Sequence, residues 1–268
     1  MKCVIVAVAR DENVYINEWV KHHLDLGFDE IRIYDNHSKI PLQTEIDKLP
    51  MAYKSRVAVE VEPISYNPQI SSYQKALEYY KGKAEWLVYI DIDEFFVIEK
   101  PLKEILNRRE NIGALFICWQ FYNANGQEKF LDKPVRERFT RKCDMLDNCK
   151  GKSIVRPESV LAVGVHYPIL FNKYVMVNSN NIACHNAAVS PVFADIYINH
   201  YYTKSYEEWT WKLYRGTCDS RCMKKYKEFF WYNPDLQYLY DDGFADLQMS
   251  FAHNLPTKVI DSKMQNLK

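Results

Sequence analysis

No apolar run in this chain approaches the length of a bilayer core, so no segment reads as a membrane span. Excess charge is missing too: 35 Lys and Arg balance 35 Asp and Glu, which excludes the global basic field of a nucleic-acid-binding protein. The 7 cysteines are odd in number and include no Cys-x-x-Cys, Cys218 and Cys222 lying three residues apart. They read as reduced thiols, not as a disulfide framework or a zinc site. Long linkers, low-complexity tracts and internal repeats are also absent, and 268 residues fit one compact domain. The apolar stretch Met1–Ala9 is too short to span a membrane, and Arg10-Asp11-Glu12 follows at once without a cleavage region. A first core strand is the expectation there, in a soluble, cytoplasmic protein that is at most peripheral at the inner face of a membrane.

What is present is an alternation of strand and helix patterns over the first hundred residues. Strands are expected at 3–9, 30–34 and 57–61, and from Trp86 to a C-terminal end at Asp91 and Asp93. Between them, helical spacing joins Ile16, Trp19, Val20 and Leu24, then residues 42–49, then Tyr73, Ala76, Leu77 and Tyr80. This order predicts an α/β fold with a mostly parallel central sheet and helices on both faces. Ligands of such sheets bind at the carboxyl ends of the strands. Three polar clusters fall at those ends: Arg10-Asp11-Glu12, Asp35-Asn36, and Asp91 with Asp93 and Glu94.

The last cluster interrupts the run Trp86–Phe96. In an extended chain Asp91 and Asp93 point the same way, and two carboxylates on one face repel unless a cation separates them. Oxygen ligands of this kind suit Mg²⁺ or Mn²⁺, with substrate phosphates completing the shell. The plainer reading is that these acids only end a core strand at the solvent boundary, but the depth of the flanking apolar residues argues for a charge that needs a partner.

These residues resemble the glycosyltransferases of family 92 and their bacterial family 2-like relatives, which have the GT-A fold (a Rossmann-like nucleotide-diphospho-sugar transferase fold). The matching segments are Arg10–Glu12, Asn17–Val20, His23–Gly27, Tyr34–Asn36, Trp86–Phe96, Trp119–Gly126, Glu137–Phe139, Lys152–Pro157 with Val165-His166, Asn199–Tyr201, Lys204-Ser205 and Arg215-Gly216. The resemblance implies one GT-A domain. Residues 1–100 would be its nucleotide-sugar half, 101–216 its acceptor half and 217–268 an aromatic and basic extension. It implies inverting transfer of a sugar from a nucleotide-sugar donor, a UDP-sugar such as UDP-galactose, to a hydroxyl of a glycan or lipid-linked glycan. Surface polysaccharide or lipopolysaccharide assembly is the implied setting. By similarity Asp91 and Asp93 hold Mn²⁺ or Mg²⁺ against the donor diphosphate, Asp35 contacts the nucleotide base, and Arg10 and Glu12 lie beside it.

A metal needs further ligands, and two late histidines offer themselves, His166 and His200; imidazole fills either role and the choice stays open. Inversion requires a general base, for which Glu137 is the candidate and Asp144, Asp195 and Glu94 are rivals. Lys152, Arg156, Lys204 and Arg215 suit phosphate contacts. Lys204 and Arg215 would share a helical face if the helix opened by the capping box Ser205–Glu208 reached back that far. Trp119, Tyr122, Asn123 and Asn125 suit an acceptor sugar. The mixture of aromatics and lysines in 209–232 suits a membrane surface, a helical lid or an oligomer contact.

Two other functions compete. A sugar-nucleotide nucleotidyltransferase would carry a Gly-rich basic loop after its first strand, whereas here that loop is Ala9-Arg10-Asp11-Glu12-Asn13. A non-catalytic carbohydrate-binding protein would have no need of paired acids at a strand end.

Overall fold

The computed structural model describes residues 1–143, 150–184, 191–215 and 225–240. The first half runs β1 (Cys3–Ala9), α1 (Ile16–Asp25), β2 (Glu30–Asp35), α2 (Gln43–Ile46), α3 (Met51–Lys54), β3 (Val57–Val61), α4 (Pro68–Tyr80), β4 (Trp86–Tyr89) and β5 (Glu94–Ile98). There follow α5 (Leu102–Leu106), β6 (Ile112–Phe121), α6 (Val135–Arg138), β7 (Gly151–Val155), β8 (Val160–Ala162), β9 (Ile169–Leu170), β10 (Val175–Asn178), β11 (Ile196–His200), α7 (Tyr206–Arg215) and α8 (Lys225–Tyr232).

Alternation along β1 explains why helices cover both faces of the sheet. Cys3, Ile5 and Ala7 enter one core with Ile16, Trp19, Val20 and Leu24 of α1. Val4 and Val6 enter the other with Tyr73, Ala76, Leu77 and Tyr80 of α4. α1 ends where Gly27 takes φ 98°, and α4 begins on Pro68, whose missing N–H costs nothing in a first turn.

One nine-stranded sheet joins the two halves in the order β3-β2-β1-β4-β7-β6-β11-β5, with β10 also on β6. β1, β2, β3 and β4 are mutually parallel, as are β10 and β11 to β6. β7 runs against both β4 and β6, and β5 against β11. The expected α/β class, with a mostly parallel sheet and helices on both faces, is what the structure has.

Two expectations change. The helical pattern at 42–49 resolves into α2 and α3, because Pro50 closes one turn and opens the next. The strand expected to run from Trp86 through Asp91 and Asp93 stops at Tyr89, and a second strand with different neighbours starts at Glu94. Between them the Glu94 N–H donates to the Asp91 carbonyl at 3.1 Å, closing a turn, so the two-residue alternation of an extended chain does not govern Asp91 and Asp93.

Gly151 opens β7 opposite Cys118. A Cβ there would lie 1.8 Å from the Ile117 carbonyl oxygen, so the two strands approach closely only because that atom is missing. Gly151→Ala is expected to destabilise the fold by about 2 kcal/mol, the scale of an overpacked core. Urea unfolding checks it, and an unchanged midpoint would show that the strands part freely.

Candidate active site

The carboxyl ends of β1, β2 and β4 are stitched into one floor. The Asn36 N–H donates to the Ala9 carbonyl at 2.8 Å, the Asp11 N–H to Ser38 Oγ at 2.9 Å and the Lys39 N–H to Asp11 Oδ1 at 2.7 Å. Asp35 shapes its own loop: its two carboxylate oxygens accept the N–H groups of Ser38 and Leu42. Trp19 pins the turn after β4, its Nε1 donating to the carbonyls of Asp91 at 3.1 Å and Glu94 at 2.8 Å.

On this floor the acids divide. Asp91 accepts hydrogen bonds from Lys152 Nζ at 2.9 Å and Gln69 Nε2 at 2.8 Å. Asp93 accepts one from Lys212 Nζ of α7 at 2.8 Å, and its other oxygen lies 3.5 Å from His200 Nε2. Glu94 is fully buried; one oxygen accepts the Asp91 N–H, and the other has no hydrogen-bond partner, Lys152 Nζ standing 3.7 Å away. Ligand atoms of Asp93, Glu94 and His200 all lie within 4.8 Å of one another. Register brings them together: Glu94 of β5 is directly paired with His200 of β11, and partners in an antiparallel pair share a face.

Charge inside this cluster follows from burial. Burial would raise the Asp93 carboxyl, but Lys212 and His200 overcome it and hold it well below the usual carboxylate range. Glu94 is pushed well above that range by burial, and Asp91 and Asp93 add to the rise while Lys152 opposes it. Burial lowers His200 against the pull of Asp93. For Lys152 the burial penalty is outweighed by Asp91 and Glu94, so its ammonium is held charged. The surroundings thus favour the ionised form of Asp93, while burial favours the neutral forms of the His200 imidazole and, in the absence of a nearby cation, the Glu94 carboxyl.

A second group lies beside the β1 loop. Arg215 Nη1 donates to Glu12 Oε1 and to the Arg10 carbonyl, both at 2.7 Å, while the Arg10 side chain is exposed. Lys204 is buried at φ 53°, its Nζ 4.3 Å from the centre of the Tyr15 ring. Among the described residues it makes no hydrogen bond or ion pair, and burial lowers its pKa although Glu12 and Asp93 pull the other way. The helix does not reach back to it: α7 starts at Tyr206, so Lys204 and Arg215 share no helical face; Arg215 holds Glu12, which acts on Lys204 only electrostatically.

The remaining sequence candidates scatter. His166 stands apart from the three-residue cluster, its Nδ1 on the Gly151 carbonyl at 3.1 Å and its ring edge-on to Trp119. Arg156 caps the carbonyls of Ile112 and Arg108 and covers Trp86. Glu137 is exposed on α6, its carboxylate without a partner among the described residues, because Arg136 turns to Glu18 and Arg138 to Glu208. Asp195 is tied to Lys100 at the far end of the β5–β11 pair, and Asp144, Cys218, Cys222 and most of the 217–268 extension lie outside the described residues. Trp119 is core. Asn123 accepts the Asn125 N–H, a loop bond. Among the described aromatics of 209–232, Trp209, Tyr226, Phe229 and Phe230 form a core of their own and Tyr232 is buried, whereas Trp211 is half-buried and Tyr214 and Trp231 are exposed. No helix among the described residues is long and apolar enough to cross a membrane.

Lys212, Gln69 and Trp19 are the residues that the sequence reading missed. Lys212 had a signal: on α7 it lies four residues after the capping Glu208 and three before Arg215, hence on one face with both.

Solved structures overlap this chain partially. TarS 1-349 of S. aureus in complex with UDP-GlcNAc is 15% identical with TM-score 0.39, covering 59% of this chain and 46% of that one. The glucosyl-3-phosphoglycerate synthase of Mycobacterium tuberculosis, in complex with Mn²⁺, UDP and glucosyl-3-phosphoglycerate, is 17% identical with TM-score 0.31, covering 44% of each chain. A family 92 glycosyltransferase of Ricinus communis is 27% identical over 220 residues, 79% of this chain and 37% of the relative. One from Arabidopsis thaliana is 23% identical over 214 residues, 75% and 35%. The chain therefore spans about a third of the length of these relatives. The sequence profile of glycosyltransferase family 92 matches residues 3–231, nearly all of the ground that the sheet and its acid cluster occupy, and the chain belongs to that family.

Proposed function

We propose that this chain moves a sugar from a nucleotide-sugar donor, a UDP-sugar, to a hydroxyl of a glycan acceptor, with inversion and with a divalent ion, Mn²⁺ or Mg²⁺, at Asp93, Glu94 and His200. One observation carries the reading: Lys204 is buried with no hydrogen bond or ion pair among the described residues, and Glu12 and Asp93, which anchors the acid cluster, reach it only electrostatically. A buried charge needs a partner, and a diphosphate supplies one. The acid cluster fits a metal ion, because one Glu94 oxygen and His200 Nδ1 are buried without hydrogen-bond partners. Bound there, the ion would neutralise charge developing on the leaving nucleoside diphosphate.

The chain's own residues do the rest. Lys204 and Arg215 bind diphosphate oxygens, with Glu12 holding the Arg215 fork in place. Asp91 keeps Lys152 charged behind the acids. Asp35 and Asn36 keep the shape of the loop over which the nucleotide base lies. Glu137 takes the proton of the acceptor hydroxyl. Its exposure leaves it open to an acceptor, and its neighbour Arg138 is clasped by Glu208 of α7, the helix whose Lys212 reaches Asp93. Transfer within polysaccharide or lipopolysaccharide assembly is the setting that the family resemblance suggests.

Calorimetric titration with UDP, UDP-galactose and other nucleotide sugars, with and without Mn²⁺, tests the reading. Metal-dependent binding of one nucleotide is expected, and Lys204→Met is expected to weaken it about tenfold, the scale of one charge-assisted hydrogen bond. No nucleotide binding under any metal condition would sink the proposal. Glu137→Gln is expected to lower kcat about a hundredfold at unchanged nucleotide affinity, as for a lost general base; wild-type turnover in that variant would move the base elsewhere.

A further inference from the structure

The β5–β11 ribbon has a second face. Glu94 and His200 are a registered pair, so Phe95 and Asn199, the next pair along, point to the opposite side, together with Val97 and Tyr201 by alternation. A pocket of about 300 Å³ opens on that side, at the lower end of volumes in which small ligands bind. Phe95, Tyr122, Phe139 and Tyr201 wall it, His22 of α1 and Thr140 complete it, and Arg136 stands at its rim. Tyr122 and Tyr201 lie with ring centroids 5.0 Å apart, and Tyr201 meets Phe95 edge-on at 5.5 Å.

The polar groups of this pocket are few, and most are engaged within the protein. Asn199 Oδ1 is buried without a hydrogen-bond partner while the amide faces the hydroxyls of Tyr122 and Tyr201. At the rim, Arg136 gives its Nε to Glu18 at 3.0 Å, and among the described residues its two Nη atoms have no partner. His22 Nε2 is engaged by the Phe96 carbonyl at 2.8 Å and is not available.

We infer that this pocket is a second carbohydrate site, separate from the acid cluster, that holds one neutral sugar unit. A sugar ring offers what the walls can use: C–H faces to lie on the aromatic rings, and hydroxyl oxygens that accept from Arg136 at the rim. A lipid tail would make no use of the Arg136 guanidinium at the rim. A strong anion is disfavoured because Glu18 already balances Arg136. The site lies across the ribbon from Glu94 and His200, so a glycan held there is gripped outside the reacting centre. Tyr122, expected from sequence to serve an acceptor sugar, belongs to this pocket.

The test is ligand-detected NMR of the nucleotide-free full chain with methyl hexosides and short neutral oligosaccharides, repeated on three variants. Thr140→Trp fills the exposed mouth and is expected to reduce sugar binding at least tenfold while UDP binding stays intact. Arg136→Ala, on an exposed side chain, is expected to weaken sugar binding severalfold and serves if the larger substitution unfolds the chain. Asp93→Asn is expected to lose metal-dependent UDP binding and keep the sugar. Failure of the transferase reading would remove UDP binding and leave the sugar signal, so the two proposals fail separately. No sugar signal in the wild type, a signal lost only in Asp93→Asn, or displacement of the sugar by free uridine would each overturn the inference.

Discussion

Asp93→Asn is expected to lower turnover about a thousandfold and to abolish the metal dependence of nucleotide binding. The substitution keeps the shape of the side chain and removes its charge. Asp93 is the acid of the cluster held ionised by its neighbours, against the burial that would protonate it. Glu94, pushed the other way, cannot substitute for it without a cation already in place. Loss of a thousandfold corresponds to about 4 kcal/mol of transition-state stabilisation, within the several kcal/mol that a positioned divalent charge supplies. Asp91→Asn should behave differently. Its partner Lys152 is 1% exposed, so the variant strands a buried ammonium and the fold weakens along with activity. Steady-state kinetics with a metal series on both variants, beside thermal melts, separates the two roles. Wild-type metal dependence in Asp93→Asn would remove the ion from this cluster.

The contrast between the two aspartates marks where sequence reading stops. Local patterns placed β1, β2, β3 and α4 well: β1 and β2 are apolar runs buried on both faces, β3 is a short β-branched run beside β2, and α4 buries a stripe at helical spacing. The three polar clusters were legible for the same reason: each ends a strand whose direction follows from the strand–helix order. What was not legible is which acid meets which cation. Asp-x-Asp in an extended chain aims both side chains one way, but a turn lies at Asp91–Glu94, closed by a backbone hydrogen bond and by Trp19 from α1, 72 and 75 residues away in sequence. The choice between His166 and His200 likewise depends on strand register. His200 pairs with Glu94 across β5 and β11, a contact that no local pattern encodes. Lys204 and Arg215 were selected as a helical pair; Arg215 holds Glu12, while Lys204 sits at a left-handed residue ahead of the helix and feels Glu12 only electrostatically.

Glu208→Gln is expected to cost 3–5 kcal/mol of stability at neutral pH, on the order of a broken buried ion pair. Sequence reading recovered only half of what Glu208 does. As the third residue of the capping box it accepts from Ser205 Oγ at 2.5 Å and from the Ser205 N–H at 3.2 Å. It also takes Arg138 of α6 in a bidentate pair, at 2.7 and 2.8 Å, and the Tyr15 hydroxyl at 2.8 Å. Both charged side chains are almost wholly buried, so the amide would leave the Arg138 guanidinium without its counter-charge. Burial would raise the Glu208 carboxyl, but Arg138 and Ser205 hold it below its ordinary value. The unfolded chain therefore binds the proton more readily. The pair's stabilisation is complete above the unfolded carboxyl value of about 4.3 and is lost as pH falls through the lower folded value. The gap between wild type and Glu208→Gln in urea unfolding should accordingly be widest at pH 7 and close in strong acid. Replacing both partners with apolar residues, Arg138→Met with Glu208→Leu, should recover much of the loss, because no charge is then stranded. Nucleotide affinity should not recover with it, since α7 carries Lys212 to Asp93 and Arg215 to Glu12, and the bidentate pair fixes where that helix sits. A double variant that regained both stability and affinity would show that α7 finds its place without the pair.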